Sequence, residues 1–240
     1  MQRILLCALF CAASLSATMP AFAWMSEPAR NPDNGHYYAF FNGADDERFV
    51  RRQMPFAVAL TRAASMSHLG IPGHLATITS QAEEDFVLGY FKELGGRPFS
   101  TIENYWIAAS DAAVEGEWRW VAGPEAGQQF WQGEYNGQAL DYQNWLTFIP
   151  GGGPVEPDNK PMVPRLNPEG EDYLALSLYE TSWSYWNDVI GLHDPNSSFS
   201  PHLAIVEFSV PEPSVGALIT IAGSMLVASC RRRAKSEARR

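Results

Sequence analysis

The stretch that determines the fold covers residues 74–94 and reads HLATITSQAEEDFVLGYFKEL. Its first five residues, His74 to Ile78, have the apolar pattern of a short strand. Ser80 follows, with a glutamate three positions later, which is the capping-box spacing of a helix start. Apolar residues then recur at helical spacing until Gly95 and Gly96 end the pattern. The stretch therefore predicts a short strand followed by a capped amphipathic helix.

Helix and strand patterns separate on either side of this stretch. Upstream, residues 36–41 predict a first strand and residues 55–67 predict another helix. Downstream, the residue pattern predicts five further strands: Tyr105–Ala109, Glu117–Val121, Tyr173–Leu178, Ser184–Asp188 and Leu203–Phe208. Helices followed by runs of strands are typical of an α+β domain, not of a parallel βαβ sheet. We therefore expect an α+β fold with two helices and mostly antiparallel sheets.

Three short clusters of carboxylate and amide side chains lie in the C-terminal half, and none of them contains histidine or cysteine. They are Glu156-Pro157-Asp158-Asn159, Gly170-Glu171-Asp172 and Trp186-Asn187-Asp188. Calcium takes roughly six to eight oxygen ligands of these types, whereas zinc would require histidine or cysteine. The clusters therefore predict a calcium site, with solvated loop acids as the alternative. A long segment rich in proline and glycine, from Phe148 to Gly170, separates the first two clusters, and loops of this length are usually functional.

Charge and cysteine content limit the function classes. The formal net charge is −10, but Arg3 and six further basic residues lie in the terminal segments. Between Ile4 and Cys230 ten basic residues stand against 26 acidic ones, a net charge near −16. A domain with this much negative charge repels the phosphates of nucleic acids, which argues against nucleic-acid binding, and it attracts divalent cations. All three cysteines, Cys7, Cys11 and Cys230, lie in the terminal segments, so the central domain has no disulfide and depends on core burial and loop packing, to which a bound metal would add.

Both chain termini have the features of targeting segments. An apolar run and the small-residue motif Ala21-Phe22-Ala23 predict a signal peptide over residues 1–23, and thus export. At the other end, a Pro-Glu-Pro segment leads into the apolar stretch 215–229 and a cluster of arginines. This stretch is shorter than the ~20 residues that cross a bilayer comfortably. We expect it to anchor the chain in the membrane only transiently.

The order of motifs along residues 35–209 resembles that of a C-type lectin-like domain. The motifs are the strand and capped helix of residues 74–94, then Trp106–Asp111, Glu115–Trp120, Tyr142–Trp145, Glu156-Pro157-Asp158, Glu171-Asp172, Trp186-Asn187-Asp188 and Ala204–Phe208. The resemblance implies an α+β C-type lectin-like fold with two helices, mostly antiparallel sheets and a long irregular ligand loop. It also implies that the domain is a calcium-dependent carbohydrate-binding module, not an enzyme.

The resemblance assigns roles to individual residues. It implies five calcium ligands: Glu156, Asp158, Glu171, Asn187 and Asp188. A cis bond before Pro157 turns the first two towards one point. Three of these ligands, Glu156, Asp158 and Asn187, also meet the sugar. Near them, Tyr179 and Trp183 are candidates for stacking on a pyranose ring, whereas Trp106, Trp118, Trp120, Trp145 and Trp186 are expected in the core.

Two features depart from the family pattern. Tyr173, Gly191 and Val206 stand about where the family has disulfide cysteines. In addition, Glu-Pro-Asp matches neither the mannose-type nor the galactose-type motif. Asp158 can bind calcium, but its carboxylate cannot donate an amide N–H to a sugar.

The C-terminal segment 210–240 has a second resemblance. Val-Pro-Glu-Pro-Ser, the apolar stretch and the arginines are similar to the PEP-CTERM sorting signal of bacteria that make exopolysaccharide. This resemblance implies recognition by an exosortase-type enzyme, removal of the tail, and delivery to the cell surface or the extracellular matrix. An ordinary short membrane anchor is the alternative.

Three functions are compatible with the sequence. The first is an exported, calcium-dependent lectin that binds polysaccharide. The second is a lectin-like scaffold that binds no sugar and acts in the matrix or in adhesion. The third is glycoside hydrolysis by paired carboxylates, but no pattern here favours an acid in an apolar pocket over acids around a cation.

Overall fold

The structure is a computed structural model that describes residues 25–42, 54–95, 102–147, 156–160, 170–179, 183–191, 201 and 203–211. In chain order its elements are β1 (Ala29–Arg30), β2 (Tyr37–Asn42), α1 (Phe56–Ser65), β3 (Ser67–His68), β4 (Ile71–Pro72), β5 (His74–Leu75), α2 (Gln81–Glu93), β6 (Ile102–Ser110), β7 (Glu117–Trp120), β8 (Gln129–Gln132), β9 (Gln138–Ala139), β10 (Tyr173–Tyr179), β11 (Ser184–Val189) and β12 (Leu203–Phe208).

Ten of the described strands form one large sheet with a β10–β11 branch that carries Asp188, and β3 and β4 form a separate two-stranded sheet. The main path of the large sheet has the order β1-β2-β12-β6-β7-β8-β9, while β10 pairs with both β6 and β11. The β12–β6 pair is parallel, and the other described pairs of named strands are antiparallel. Together with the two helices this is an α+β architecture with mostly antiparallel strands, as predicted.

Helix α2 begins as its sequence predicts, with one difference. The Ser80 hydroxyl accepts a hydrogen bond from the Glu83 N–H at 3.2 Å, which satisfies a free donor of the first turn. The Glu83 carboxylate does not return to Ser80; it accepts from the Thr79 N–H at 2.8 Å and from the Tyr38 hydroxyl. Glu83 is buried, so half of the predicted capping box is used to tie α2 to β2.

The core is built largely from aromatic side chains. The tryptophans predicted to pack there are at most 3% exposed: Trp106, Trp118, Trp120, Trp145 and Trp186. Several meet edge to face, with ring centroids 5.0 Å apart for Trp118–Trp145 and 6.0 Å apart for Trp145–Trp186. The core prediction is confirmed, and two of these tryptophans, Trp145 and Trp186, form the bridge that joins residue 145 to β11.

Some predicted elements differ in the structure. The strand predicted over residues 74–78 is limited to His74–Leu75, where it pairs with β12. Strands β8 and β9 were not predicted, because glutamines at their positions obscure the alternation. The packed domain also begins upstream of Gly35, since β1 pairs with β2 and Met25 bridges to Phe41.

The predicted signal peptide, residues 1–23, and the predicted sorting signal, residues 210–240, lie outside the described residues except for Val210 and Pro211. In the part of the chain that is described, neither helix has the length and apolar content needed to cross a membrane.

Candidate metal centre

A short parallel contact brings the proline-rich loop to strand β11. The Trp186 N–H donates to the Asn144 carbonyl at 2.7 Å, and the Leu146 N–H donates to the Trp186 carbonyl at 3.1 Å. The Glu156 N–H then donates to the Leu146 carbonyl at 2.8 Å. The Glu156–Pro157 peptide bond is cis, as the resemblance implies. The loop is thereby held beside the strand that carries Asp188.

A buried carboxylate anchors this contact from helix α2. Glu84 is 0% exposed and lies behind residue 144 and β11. Its carboxylate accepts hydrogen bonds from Tyr142 Oη (2.9 Å), Asn144 Nδ2 (2.6 Å), Ser184 Oγ (2.5 Å) and Trp186 Nε1 (3.1 Å). Burial raises the pKa of Glu84, and these four donors oppose that effect. Glu84 therefore links α2 to both segments that lead into the acidic clusters.

Three carboxylates converge where the loop meets β11. Oxygen atoms of Glu156, Asp158 and Asp188 all lie within 4.8 Å of one another. Asp158 is 8% exposed and Asp188 is 1% exposed. One oxygen of Glu156, Oε2, is buried without a hydrogen-bond partner. A buried unpaired carboxylate oxygen is costly, so this three-acid cluster is suited to a divalent cation.

Backbone N–H groups fix the positions of these acids. Asp188 accepts from the Asp158 N–H at 3.2 Å and from the Asn159 N–H at 2.7 Å. Asp158 in turn accepts from the Lys160 N–H at 3.0 Å, forming an Asx turn. Asn159 has φ +53°, a left-handed conformation that Asn tolerates better than most residues. The cluster is therefore held by its own loop.

Glu171 joins the cluster through Asn159. The Glu171 N–H donates to Asn159 Oδ1 at 2.7 Å, while Asn159 Nδ2 donates to Glu115 Oε1 at 2.8 Å. Gly170 packs directly on this amide, since a Cβ added to it would lie 1.6 Å from Asn159 Oδ1. Our sequence analysis placed Asn159 in the first acidic cluster but gave it no role. No local pattern reveals these contacts, which span 12 and 44 residues.

Burial and mutual repulsion raise the pKa values of the clustered acids. Burial raises the pKa of Glu171 to about 8, with further contributions from the charges of Asp188 and Asp158. Burial also raises the pKa of Glu156 well above its usual range, and the charge and hydrogen bond of Asp188 add to this. The pKa of Asp188 is raised by burial as well. Without a cation the folded cluster therefore retains protons that free carboxyl groups lose.

Further acids border the cluster. Asp111 is 2% exposed, and its Oδ2 accepts from the Gly116 N–H at 2.9 Å. Burial raises the pKa of Asp111 to about 7, and the charges of Glu115, Asp172 and Asp188 add to the shift. Asp111 and Glu115 were predicted only as ends of the motifs Trp106–Asp111 and Glu115–Trp120, not as residues of the site.

The remaining predicted residues lie along β10 and β11. Asn187 is half-buried between Trp186 and Asp188 and pairs with Ala175. Trp183 lies five residues from Asp188, or ~16 Å along the strand direction. Its ring is 46% exposed and lies 5.4 Å from that of Tyr185. Tyr179 ends β10 at the same end of this hairpin, and its side chain lies outside the described residues. Both aromatic candidates thus lie at the end of the hairpin opposite Asp188, and their role in sugar binding stays a prediction.

Comparisons with known proteins give one consistent result. Residues 70–190 match the sequence model of the family described as "Lectin C-type domain". Halomucin from Haloquadratum walsbyi is 36% identical over 122 residues, 50% of this chain and 1% of that protein. Salivary C-type lectin 2 from Aedes albopictus is 31% identical over 120 residues, 48% of this chain and 60% of that protein. The matches thus span less than two thirds of these relatives.

Among solved structures, the C-type lectin CEL-I from Cucumaria echinata is similar in fold. The alignment covers 72% of this chain and 89% of the CEL-I chain. The TM-score is 0.41 and the sequence identity is 22%.

Proposed function

The chain belongs to the family of lectin C-type domains, and from this premise we propose that it is an exported, calcium-dependent carbohydrate-binding protein. The observation that carries the proposal is the three-acid cluster with its unpaired Glu156 oxygen. Glu156, Asp158 and Asp188 would hold the ion, together with Glu171 and Asn187. Calcium held there supplies coordination positions for two neighbouring hydroxyl groups of a sugar.

The chain's own residues set how a sugar would be presented. Glu156, Asp158 and Asn187 lie at or beside the cluster and would accept hydrogen bonds from sugar hydroxyls or help to orient the ring. Trp183 and Tyr179 lie at the other end of the hairpin from Asp188. We propose them as a stacking surface for later units of a longer glycan.

The test is retention of the full-length protein on immobilised mannan, galactan and dextran, in calcium and in chelator. Retention on at least one polymer should require calcium. Glu156→Gln and Asp188→Asn should abolish it, because each removes one charge from the cluster. Glu93→Gln is the matched control, since Glu93 is exposed at the end of α2. Retention that persists in chelator would contradict the proposal.

The lectin-like scaffold is the second candidate. Asp158 favours it, because a carboxylate offers a sugar no N–H donor. Calcium-dependent stabilisation without retention on any polymer would support a role in the matrix or in adhesion. In neither case do we propose catalysis.

Localisation follows from the terminal segments. We propose that residues 1–23 direct export, that residues 35–209 contain the lectin-like domain, and that residues 210–240 form a sorting signal. An exosortase-type enzyme would remove this tail after transient membrane anchoring and release the domain to the cell surface or matrix. Mass spectrometry of the surface fraction should find a mature C-terminus near Pro213; a C-terminus at Arg240 would favour a plain anchor.

A further inference from the structure

The three-acid cluster contains many hydrogen-bond acceptors and few free donors. The N–H groups of Asp158 and Asn159 are directed at Asp188. The amide of Asn159 is directed at Glu115. A sugar hydroxyl that binds a cation through one lone pair still has a second lone pair, which needs a donor. Beyond the side-chain amide of Asn187 on β11, the described loop residues 156–160 therefore need another donor if they are to select a sugar.

Lys160 is placed to supply that donor. Its Nζ lies 3.6 Å from Asp158 Oδ2 at the rim of the cluster, and its side chain is 66% exposed. The Asx turn from the Lys160 N–H to Asp158 fixes the start of this side chain. An ammonium group has three hydrogens. One hydrogen can be directed at Asp158, which leaves the others for a ligand that approaches from solvent.

We propose that Lys160 determines the ligand class of this site, by donating a hydrogen bond to a hydroxyl oxygen of an uncharged sugar. The inference rests on the proposed function. Lys160 would supply the hydrogen-bond donor that an amide at position 158 would supply, because the Asp158 carboxylate can only accept hydrogen bonds. The donor is thus moved two residues along the loop.

Charge favours a neutral sugar over a uronic acid. Glu156, Asp158, Asp188 and Glu171 together carry more negative charge than one calcium ion and Lys160 neutralise. Glu115 and Asp172 add further negative charge beside them; burial first, and then the charge of Asp172, raises the pKa of Glu115. A sugar carboxylate would enter a region that is already negative. Lys160 therefore serves as a hydrogen-bond donor, not as the counter-ion of an acidic polysaccharide.

The experiment measures two affinities for each variant of the full-length protein. Lys160→Met keeps the apolar stem and removes the ammonium group. It should weaken calcium-dependent binding to the neutral polymer that retains the wild type by about tenfold, the value of one charged hydrogen bond. The same variant should bind calcium about threefold more tightly at low salt, since a competing positive charge is gone. Lys160→Arg should recover most of the polymer binding, and Lys92→Met, on the exposed end of α2, should change neither affinity.

The proposed role predicts that Lys160→Met binds the polymer more weakly and calcium more tightly, and these opposite changes distinguish it from a purely structural role. If Lys160 only supported the loop, Lys160→Met would weaken calcium binding and polymer binding together, and that result would overturn the inference. Equal polymer binding by Lys160→Met and the wild type would also overturn it while leaving the proposed function intact. A wild type that binds none of the polymers would overturn both.

A matched pair of competitors tests the ligand class. Methyl mannoside and methyl mannuronide differ only in the carboxylate at C6, so both are used to displace the protein from mannan, or the corresponding pair from galactan or dextran. The neutral glycoside should be the better competitor. A uronide that competes better, and loses this advantage in Lys160→Met, would show that Lys160 is a counter-ion and would overturn the assignment.

Discussion

Calcium should reverse the pH dependence of stability. Glu171 has a pKa of about 8 in the folded protein and an ordinary value of 4.5. At a pH between these two pKa values the Glu171 carboxyl group is protonated in the folded state and ionised in the unfolded state. The unfolding free energy of the calcium-free protein therefore falls as the pH rises through this window.

The pKa shift of Glu171 sets the size of this change in unfolding free energy. A difference of ~3.5 pKa units corresponds to ~5 kcal/mol at most, and because Glu171 is partly exposed we expect about half of this, ~2 kcal/mol. Glu83, with a pKa raised to about 7 by burial, acts in the same direction but lies beside Tyr38 and Thr79, away from the cluster. In calcium the ligands are deprotonated, so stabilisation by the ion should increase with pH, reaching ~3 kcal/mol at a hundredfold excess over Kd.

Urea unfolding between about pH 5 and about pH 8, in calcium and in chelator, measures both effects. The chelated protein should lose stability across this range, and Glu171→Gln should remove part of the loss. Glu93→Gln should leave the slope unchanged, because Glu93 is exposed on α2. A chelated protein whose stability is flat or rises from pH 5 to pH 8 would refute the reasoning, as would a calcium effect that does not grow with pH.

Three further substitutions test how the helix and the loop segments around the three-acid cluster are held in place. Glu84→Gln turns two of the four donors to this buried side chain towards an NH2 group. Urea unfolding should therefore show a loss of ~2–4 kcal/mol, and calcium affinity should fall because the loop is less well anchored; a loss below ~1 kcal/mol would contradict this anchoring role. Gly170→Ala combines strain at φ +115° with a Cβ 1.6 Å from Asn159 Oδ1 and should cost ~2–4 kcal/mol and weaken calcium binding. Gly70→Ala, at φ +79° with no atom within 4 Å of the added Cβ, is its control and should cost only the strain and leave calcium affinity unchanged. Ser80→Ala should cost ~1 kcal/mol in thermal or urea unfolding, by loss of the α2 cap, and should not affect calcium binding.

Local signals in the sequence were sufficient for most of the fold. Ser80 and the glycines after residue 94 bounded α2, and the strand from Leu203 to Phe208 was predicted with its observed ends. The buried tryptophans were predicted because each lies within an apolar strand pattern or beside one. Strands β8 and β9 were missed, since Gln129 and Gln132 are the two ends of β8 and Gln138 begins β9, and these polar residues interrupt the apolar pattern.

The site was less predictable, because its contacts join distant parts of the chain. Glu156 and Asp158 share a motif, and the sequence could nominate them with Asp188 as ligands. It could not show that Asn159 connects Glu171 to Glu115, since that contact depends on how the loop returns to β6 and β7. The distance of Trp183 from Asp188, by contrast, was available, since residues 184–188 were predicted as one strand.

The positions at which the resemblance places cysteines show how the site is held without disulfides. Tyr173 and Gly191 stand at two of them, and a Cβ on Gly191 would lie 2.3 Å from the Tyr173 ring. Phe56 completes the contact, with its ring 4.6 Å from that of Tyr173 and its N–H donating to the Gly191 carbonyl at 3.0 Å. This aromatic contact lies two residues after Glu171 and three residues after Asp188. Because it is packed and not covalent, its geometry depends on the whole core, so changes in core stability and in calcium affinity should be coupled.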